Sequence, residues 1–312
     1  MRTAFAVFAL MGVVSSAHAA VDLETALSNV RASCGGISEE LNQMKTMAGI
    51  GTGVSAAGAL AGGAAVATGV MKANTDAEIA EWKKILSEID ENAELNGVKY
   101  EKITQDELDA LLAEASDDKG KGAVSNKVGE LEQKSTTLGN IRTGTLAATT
   151  ATNIAGAAVG GVNMKKARGS LSEQVSECLA SIKELSAAYG QARISRTASE
   201  EDLGRIETIV RVCNEWSTVD LSKIDNRATG AFASSVVGAA TGAAGTITSA
   251  LANSSDVREV GGAKEKNLNT ASNVLAGGAT VASTAATIFN ATQISVIKRA
   301  STVADACEGA LK

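Results

Sequence analysis

The chain of 312 residues contains no proline, and aromatic residues make up only 3% of it. Proline costs about 3 kcal/mol inside a helix, so its absence from so long a chain predicts helix along nearly the whole sequence. Because large aromatic side chains are scarce, burial has to come from many small contacts among Ala, Val, Leu and Ile. We therefore predict an all-α fold built from long helical hairpins.

Histidine is equally scarce, since His18 is the only one. It lies in the segment that we interpret below as a cleaved leader, which leaves no histidine for a catalytic triad, a proton shuttle or a metal site. Neither a phosphate-binding glycine loop nor a calcium-binding loop is present in the sequence. We therefore predict no catalytic, cofactor-binding or metal-binding residues, and we expect the protein not to be an enzyme.

The formal net charge of −6 is the wrong sign for a nucleic-acid-binding protein. Binding to phosphates needs a basic surface, and no compact basic patch stands out along the sequence. We therefore predict no nucleic-acid partner.

The first 19 residues have the pattern of a secretory signal peptide. Arg2 precedes an apolar run from Ala4 to Val14, and Ala17 and Ala19 supply the small residues of a cleavage site before Ala20. We predict export to the periplasm, to the cell surface or into the medium, with membrane association as a further alternative.

The four cysteines are Cys34, Cys178, Cys213 and Cys307. In an oxidising compartment an even number of cysteines indicates disulfides, and these spacings are too long for a compact zinc motif. Four cysteines allow three connectivities. The internal repeat described below favours the pairs Cys34–Cys178 and Cys213–Cys307, each of which would close the base of one hairpin.

Four long stretches carry no charged residue and are rich in Gly, Ala, Val, Ser and Thr: 46–71, 143–164, 228–255 and 267–297. Each is long enough for a helix that crosses a bilayer, which needs about 20 residues. Glycine inside a helix costs about 1 kcal/mol relative to alanine, so we expect close helix packing to offset that cost. Eight glycines in pairs four residues apart are the predicted packing residues: Gly49 and Gly53, Gly58 and Gly62, Gly156 and Gly160, and Gly238 and Gly242.

Two parts of the chain resemble each other. Residues 22–34 (DLETALSNVRASC) and 202–213 (DLGRIETIVRVC) share an initial Asp-Leu, a Val-Arg pair and a final cysteine, with one residue of slippage. Each is followed by two uncharged segments and a second cysteine. We predict an internal duplication, with a signal peptide at 1–19, a first hairpin unit at 20–199 and a second at 200–312.

The first hairpin unit carries a charged insertion at 72–142 that the second lacks. Trp82, Ile85 and Leu86 indicate an amphipathic helix, Asn96-Gly97 indicates a turn, and residues 104–107 (TQDE) form a capping box. With a further helix at 124–133, we expect a small cap of about three helices at the tip of the first hairpin.

The uncharged segments permit three interpretations. In the first, they form the interior of an exported helical bundle with a structural or interaction role at a bacterial cell envelope or surface, and the partner is a second copy or another envelope protein. In the second, they contact lipid, and the protein inserts into membranes or forms pores through 46–71, 143–164, 228–255 and 267–297. In the third, the protein is a conventional inner-membrane protein that these segments span. The basic residues beside the segments, such as Lys165 and Lys298, would then lie outside the membrane, opposite to the positive-inside rule, so we favour the first interpretation.

Overall fold

The computed structural model describes residues 22–90, 118–254, 257 and 263–312. These residues are almost entirely helical and include no strand, which confirms the predicted all-α fold. The described helices are α1 (Leu23–Cys34), α2 (Ile37–Asp90), α3 (Asp118–Arg168), α4 (Ser170–Ser195), α5 (Glu200–Cys213), a 3-10 helix (Asn214–Thr218), α6 (Leu221–Ala252) and α7 (Ala263–Leu311). The predicted signal peptide, the turn at 96–97 and the capping box at 104–107 lie outside the described residues.

Helix α1 ends where a pair of glycines interrupts the helical pattern. Gly35 is the C-cap residue, and its N–H donates to the carbonyl of Arg31. Gly36 has a φ of +87°, a left-handed conformation that favours glycine because it has no Cβ. The chain can therefore turn and start α2 at Ile37.

Helices α2 and α3 run without a break through the ends of the predicted insertion. α2 continues from the first uncharged segment to Asp90, and α3 starts at Asp118 and continues through the second. The helices predicted around Trp82 and over 124–133 are therefore parts of α2 and α3. Their apolar side chains pack in one cluster: Ile79, Trp82, Ile85, Val124, Val128 and Leu131.

The chain forms two compact units that are not consecutive in sequence. One unit, here the disulfide unit, consists of the described residues within Met1–Glu39, Ser172–Val219 and Ala300–Lys312. The other, here the bundle unit, consists of the described residues within Glu40–Leu171 and Asp220–Arg299. Each unit takes residues from both predicted hairpin repeats. The duplication and the repeat boundaries therefore remain predictions.

The disulfide unit has an ordinary apolar core. Ile182, Leu185, Ile206 and Ile209 are buried there, and Trp216 in the 3-10 helix is 1% exposed. Arg31 Nε also donates to the carbonyl of Leu311 over 3.1 Å, which joins the first and last helical segments of this unit.

In the bundle unit, four long helices form a ring in which each helix lies antiparallel to its neighbours. Contacts between α2 and α3, α3 and α6, α6 and α7, and α7 and α2 recur along the bundle. The buried residues of each helix alternate at spacings of three and four; in α6 they are Ile224, Ala228, Ala231, Ser235, Gly238, Gly242, Gly245, Ser249 and Ala252. This is the seven-residue repeat of a coiled coil.

Candidate functional site

The four uncharged segments lie at the same level of the bundle unit. A Cβ atom at Gly58 would lie 2.8 Å from Thr152 Oγ1 and 3.2 Å from Ser283 Oγ, and a Cβ atom at Gly238 would lie 2.7 Å from Asn153. These positions are close to the midpoints of the four segments. We call residues 46–71, 143–164, 228–254 and 267–297 together the uncharged zone.

Six of the eight predicted packing glycines lie at close helix contacts. The tightest backbone approach is at Gly160, where a Cβ atom would lie 3.0 Å from both Cα and N of Phe232. The others are at contacts with side chains of neighbouring helices: Gly58, Gly62, Gly156, Gly238 and Gly242. These glycines let the helices approach closely inside one chain.

Gly49 and Gly53 are different, because both are exposed and a Cβ atom at either would have no neighbour within 4 Å. The buried glycine in this turn is Gly51, which faces the side chain of Asn290. Gly51 was not among the predicted packing residues, because those were chosen as pairs of glycines four residues apart. The pattern that identifies Gly51 is the alternation of spacings of three and four residues between the buried positions 48, 51, 55 and 58.

The interior of the uncharged zone combines small apolar residues, such as Ala65 and Ala276, with polar side chains. Asn153 Nδ2 donates to Ser283 Oγ over 2.9 Å, and both residues are buried. Asn290 and Gln293 are buried as well, and neither side-chain amide has a hydrogen-bond partner in the described protein. Asn and Gln at buried coiled-coil positions reduce stability and can fix the register of the helices.

The exterior of the uncharged zone is apolar. Among the residues that the structure describes, fifteen large hydrophobic residues are exposed, and thirteen of them lie in this zone: Ile50, Leu60, Val70, Met71, Ile154, Val162, Val236, Val237, Ile247, Leu251, Val274, Val281 and Ile288. Leu60 is 78% exposed and Val281 is 70% exposed. Polar groups inside and large apolar groups outside are the reverse of the usual pattern of a protein in water.

Threonine hydroxyls in the zone are satisfied within their own helices. Thr152 and Thr284 donate to the carbonyl four residues earlier, at 3.0 and 2.9 Å. Thr52, Thr241 and Thr248 do the same. Bonding of this kind satisfies the hydroxyl donor within the helix, which lowers the cost of placing these threonines in an apolar environment.

Length and composition alone give three helical stretches that could cross a membrane. These are Leu23–Ser87, α6 and α7. The threonine-rich and asparagine-containing α3 is not among them, although its middle part lies at the same level of the bundle.

Two buried cations lie at one end of the zone. Lys72 is 1% exposed, and its Nζ lies 2.7 Å from Asp76 and 3.1 Å from Glu265. Arg142, one residue before the zone, donates to the side chain and the carbonyl of Asn269. Burial lowers the pKa of Arg142 to about 10, and the nearby Asp76 carboxylate opposes the shift. Arg142 therefore remains a cation at neutral pH.

The cysteines pair as the sequence favours, Cys34 with Cys178 and Cys213 with Cys307. The sulfurs of Cys34, Cys178 and Cys307 lie within 4.8 Å of one another, so the two disulfides are neighbours in the disulfide unit. A metal could use these sulfurs only after reduction, since metal binding needs thiolates.

Comparison of the chain with models of protein families, with curated proteins and with solved structures gives no match.

Proposed function

We propose that the protein is exported and acts at a lipid membrane, with the outer face of the uncharged zone in contact with hydrocarbon. The observation that carries this proposal is the reversed polarity of the zone. Its interior holds Asn153, Ser283, Asn290 and Gln293, whereas its exterior presents thirteen large apolar side chains and no charge. An exterior with so many large apolar side chains needs an apolar environment or a partner to cover it.

The length of the zone matches a bilayer. Its shortest segment, 143–164, has 22 residues, which at about 1.5 Å per residue extend roughly 33 Å. The hydrocarbon core of a bilayer is about 30 Å thick. The zone is therefore long enough to cross the hydrocarbon with all four helices at once.

Hydrogen bonding in the zone also suits lipid. A helix satisfies its own backbone groups, and lipid tolerates only structures that do so. The hydroxyls of Thr152, Thr241 and Thr284 bond to carbonyls of the same helix. The polar side chains that could not be satisfied in lipid, Asn290 and Gln293, face the bundle interior.

The second candidate is a structural protein of the envelope that associates with copies of itself. Six of the predicted packing glycines are used inside the chain, so association would have to use the outer faces. Gly49 and Gly53 favour this candidate, because they lie on the exposed side of α2 with no neighbour within 4 Å. Two such faces could approach closely in a dimer.

Flotation on phosphatidylcholine vesicles tests the first candidate. The purified protein without residues 1–19, with disulfides intact and no detergent, should float with the vesicles. The double variant Leu60→Asp/Val281→Asp should stay at the bottom, since a charge facing hydrocarbon costs about 2.5–3.5 kcal/mol. Ala187→Asp/Ile194→Asp is the matched control with the same added charge, because both residues are exposed in the disulfide unit and Ile194 is 87% exposed.

Flotation of the double variant with the vesicles would contradict contact between the zone and lipid. A wild-type protein that remains at the bottom as a dimer or larger assembly would favour the second candidate. Dye release from the same vesicles then distinguishes pore formation from insertion alone.

A further inference from the structure

Basic residues surround the end of the uncharged zone that is opposite to Lys72 and Arg142. Within the bundle unit, the residues just beyond this end include eight basic side chains, here the basic collar: Lys45, Lys165, Lys166, Arg168, Lys223, Arg227, Lys298 and Arg299. The acidic residues in the same stretches are three: Glu40, Asp220 and Asp225. The collar therefore has an excess of positive charge on a chain that is acidic as a whole.

Contacts between the helices place these residues at one level. Lys166 Nζ on α3 lies 2.7 Å from Gln43 on α2, and Arg168 Nε lies 2.7 Å from Asp225 on α6. On α7, Asn290 lies opposite Gly51, and Lys298 is two helical turns further in the direction of Lys45.

The collar adjoins the apolar surface directly. The guanidinium of Arg227 lies 6.0 Å from the centre of the Phe289 ring, at the edge of the zone. Lys165, Lys298 and Arg299 are exposed and follow the last uncharged residues of their segments. Long basic side chains in such positions can keep their stems on apolar surface while the charges reach the water interface.

The opposite end of the zone differs. The first basic residues there on α2 and α3, Lys72 and Arg142, are buried and bound to Asp76, Glu265 and Asn269 inside the bundle. Their charges are neutralised or enclosed rather than presented outward. Among the described residues beside this end, the exposed basic side chains are Lys264 and Lys266 on α7, whereas the collar has five. The larger excess of outward-facing positive charge is therefore at the collar end.

We propose that the basic collar binds the headgroups of anionic phospholipids. Contact of the zone with hydrocarbon places the collar at the level of the phosphates, and positive charge there is attracted to anionic lipid with a free energy of about 1 kcal/mol per Lys or Arg. This inference rests on the proposed membrane function and names its partner, a bilayer surface that carries negative charge.

The test compares vesicles of phosphatidylcholine with vesicles that also contain phosphatidylglycerol. The protein should bind the anionic vesicles more tightly, and added salt should weaken that preference because it screens exposed charges. The collar variant Lys165→Gln/Lys298→Gln/Arg299→Gln should bind anionic vesicles roughly 100-fold more weakly, about five-fold per charge removed. Its binding to phosphatidylcholine should stay unchanged.

The control variant is Lys183→Gln/Arg193→Gln/Arg211→Gln, which changes the net charge equally with exposed residues of the disulfide unit. It should bind anionic vesicles within a few-fold of the wild type. Equal loss in both triple variants, or equal wild-type binding to both kinds of vesicle, would overturn the role of the collar and leave the proposed membrane function standing. Failure of the wild type to bind either kind of vesicle would overturn both proposals.

Discussion

Asn153 and Ser283 are joined by side-chain hydrogen bonds in the interior of the bundle unit. Asn153 Nδ2 donates to Ser283 Oγ over 2.9 Å, and the same hydroxyl lies 3.0 Å from Asn153 Oδ1. Both side chains are at most 1% exposed, while Leu60, at nearly the same level, is 78% exposed. The polar pair therefore faces inward at the level where a large apolar side chain faces outward.

We expect this pair to be energetically coupled. Asn153→Ala and Ser283→Ala should each destabilise the protein, by about 1–3 kcal/mol for the loss of a buried hydrogen-bond partner. In a double-mutant cycle the second substitution should cost less than it does alone, with a coupling of about 0.5–1.5 kcal/mol. Urea unfolding monitored by circular dichroism measures the cycle. Strict additivity would show that the two side chains do not interact.

Substitution by alanine should destabilise the protein at glycines in helix contacts and stabilise it at exposed glycines. Gly160→Ala would place a methyl group 3.0 Å from the backbone of Phe232, and we expect a loss of about 1–2 kcal/mol because backbone atoms cannot move aside cheaply. Gly63→Ala meets no atom within 4 Å and should stabilise the protein by up to about 1 kcal/mol. Thermal unfolding of the two variants gives the comparison. A stabilising Gly160→Ala would contradict the close approach of α3 and α6.

Removing either disulfide should lower stability strongly. The bonds close loops with sequence separations of 144 and 94 residues, which in the chain-entropy model corresponds to about 5 kcal/mol each. Cys34→Ser/Cys178→Ser and Cys213→Ser/Cys307→Ser should therefore unfold at clearly lower denaturant concentrations than the wild type. Peptide mapping without reduction provides the control. A peptide that joins Cys178 to Cys213 would contradict the pairing.

The unpaired amide of Gln293 should be a source of instability. Gln293→Met replaces a buried polar group without a partner by an apolar group of similar length, and we expect a gain of about 1–3 kcal/mol. Gln191→Met is the matched control, because Gln191 is exposed on α4 and should change stability by less than about 0.5 kcal/mol. Destabilisation by Gln293→Met would indicate that the amide has a partner in solution.

The all-α fold class could be predicted because it depends mainly on composition. A chain without proline forms long helices, and α2 extends over 54 residues from Ile37 to Asp90. The buried face of each helix was harder to predict. Gly49 and Gly53 have the same spacing as Gly58 and Gly62, yet only the second pair lies on the line of buried positions.

The burial of polar side chains in the bundle interior was not predicted, for a physical reason. Ser, Thr and Asn in a Gly- and Ala-rich helix give little contrast between its faces, so the sequence does not show which side is buried. In α7 the inward positions Asn269, Ala276, Ser283, Asn290 and Ile297 recur every seven residues. This seven-residue period can be recognised in the sequence only once one contact between helices shows which positions face inward.

Quenching of tryptophan fluorescence by brominated lipid tests most directly the claim that the outer face of the uncharged zone contacts hydrocarbon. A tryptophan introduced by Leu60→Trp would lie on that face, and one introduced by Ile194→Trp would lie on the surface of the disulfide unit. The native Trp82 and Trp216 are buried and contribute the same background to both variants. We predict that lipid brominated deep in its acyl chains quenches the Leu60→Trp variant and leaves the Ile194→Trp variant unquenched. Emission of the Leu60→Trp variant that is identical with and without brominated vesicles would contradict the claim.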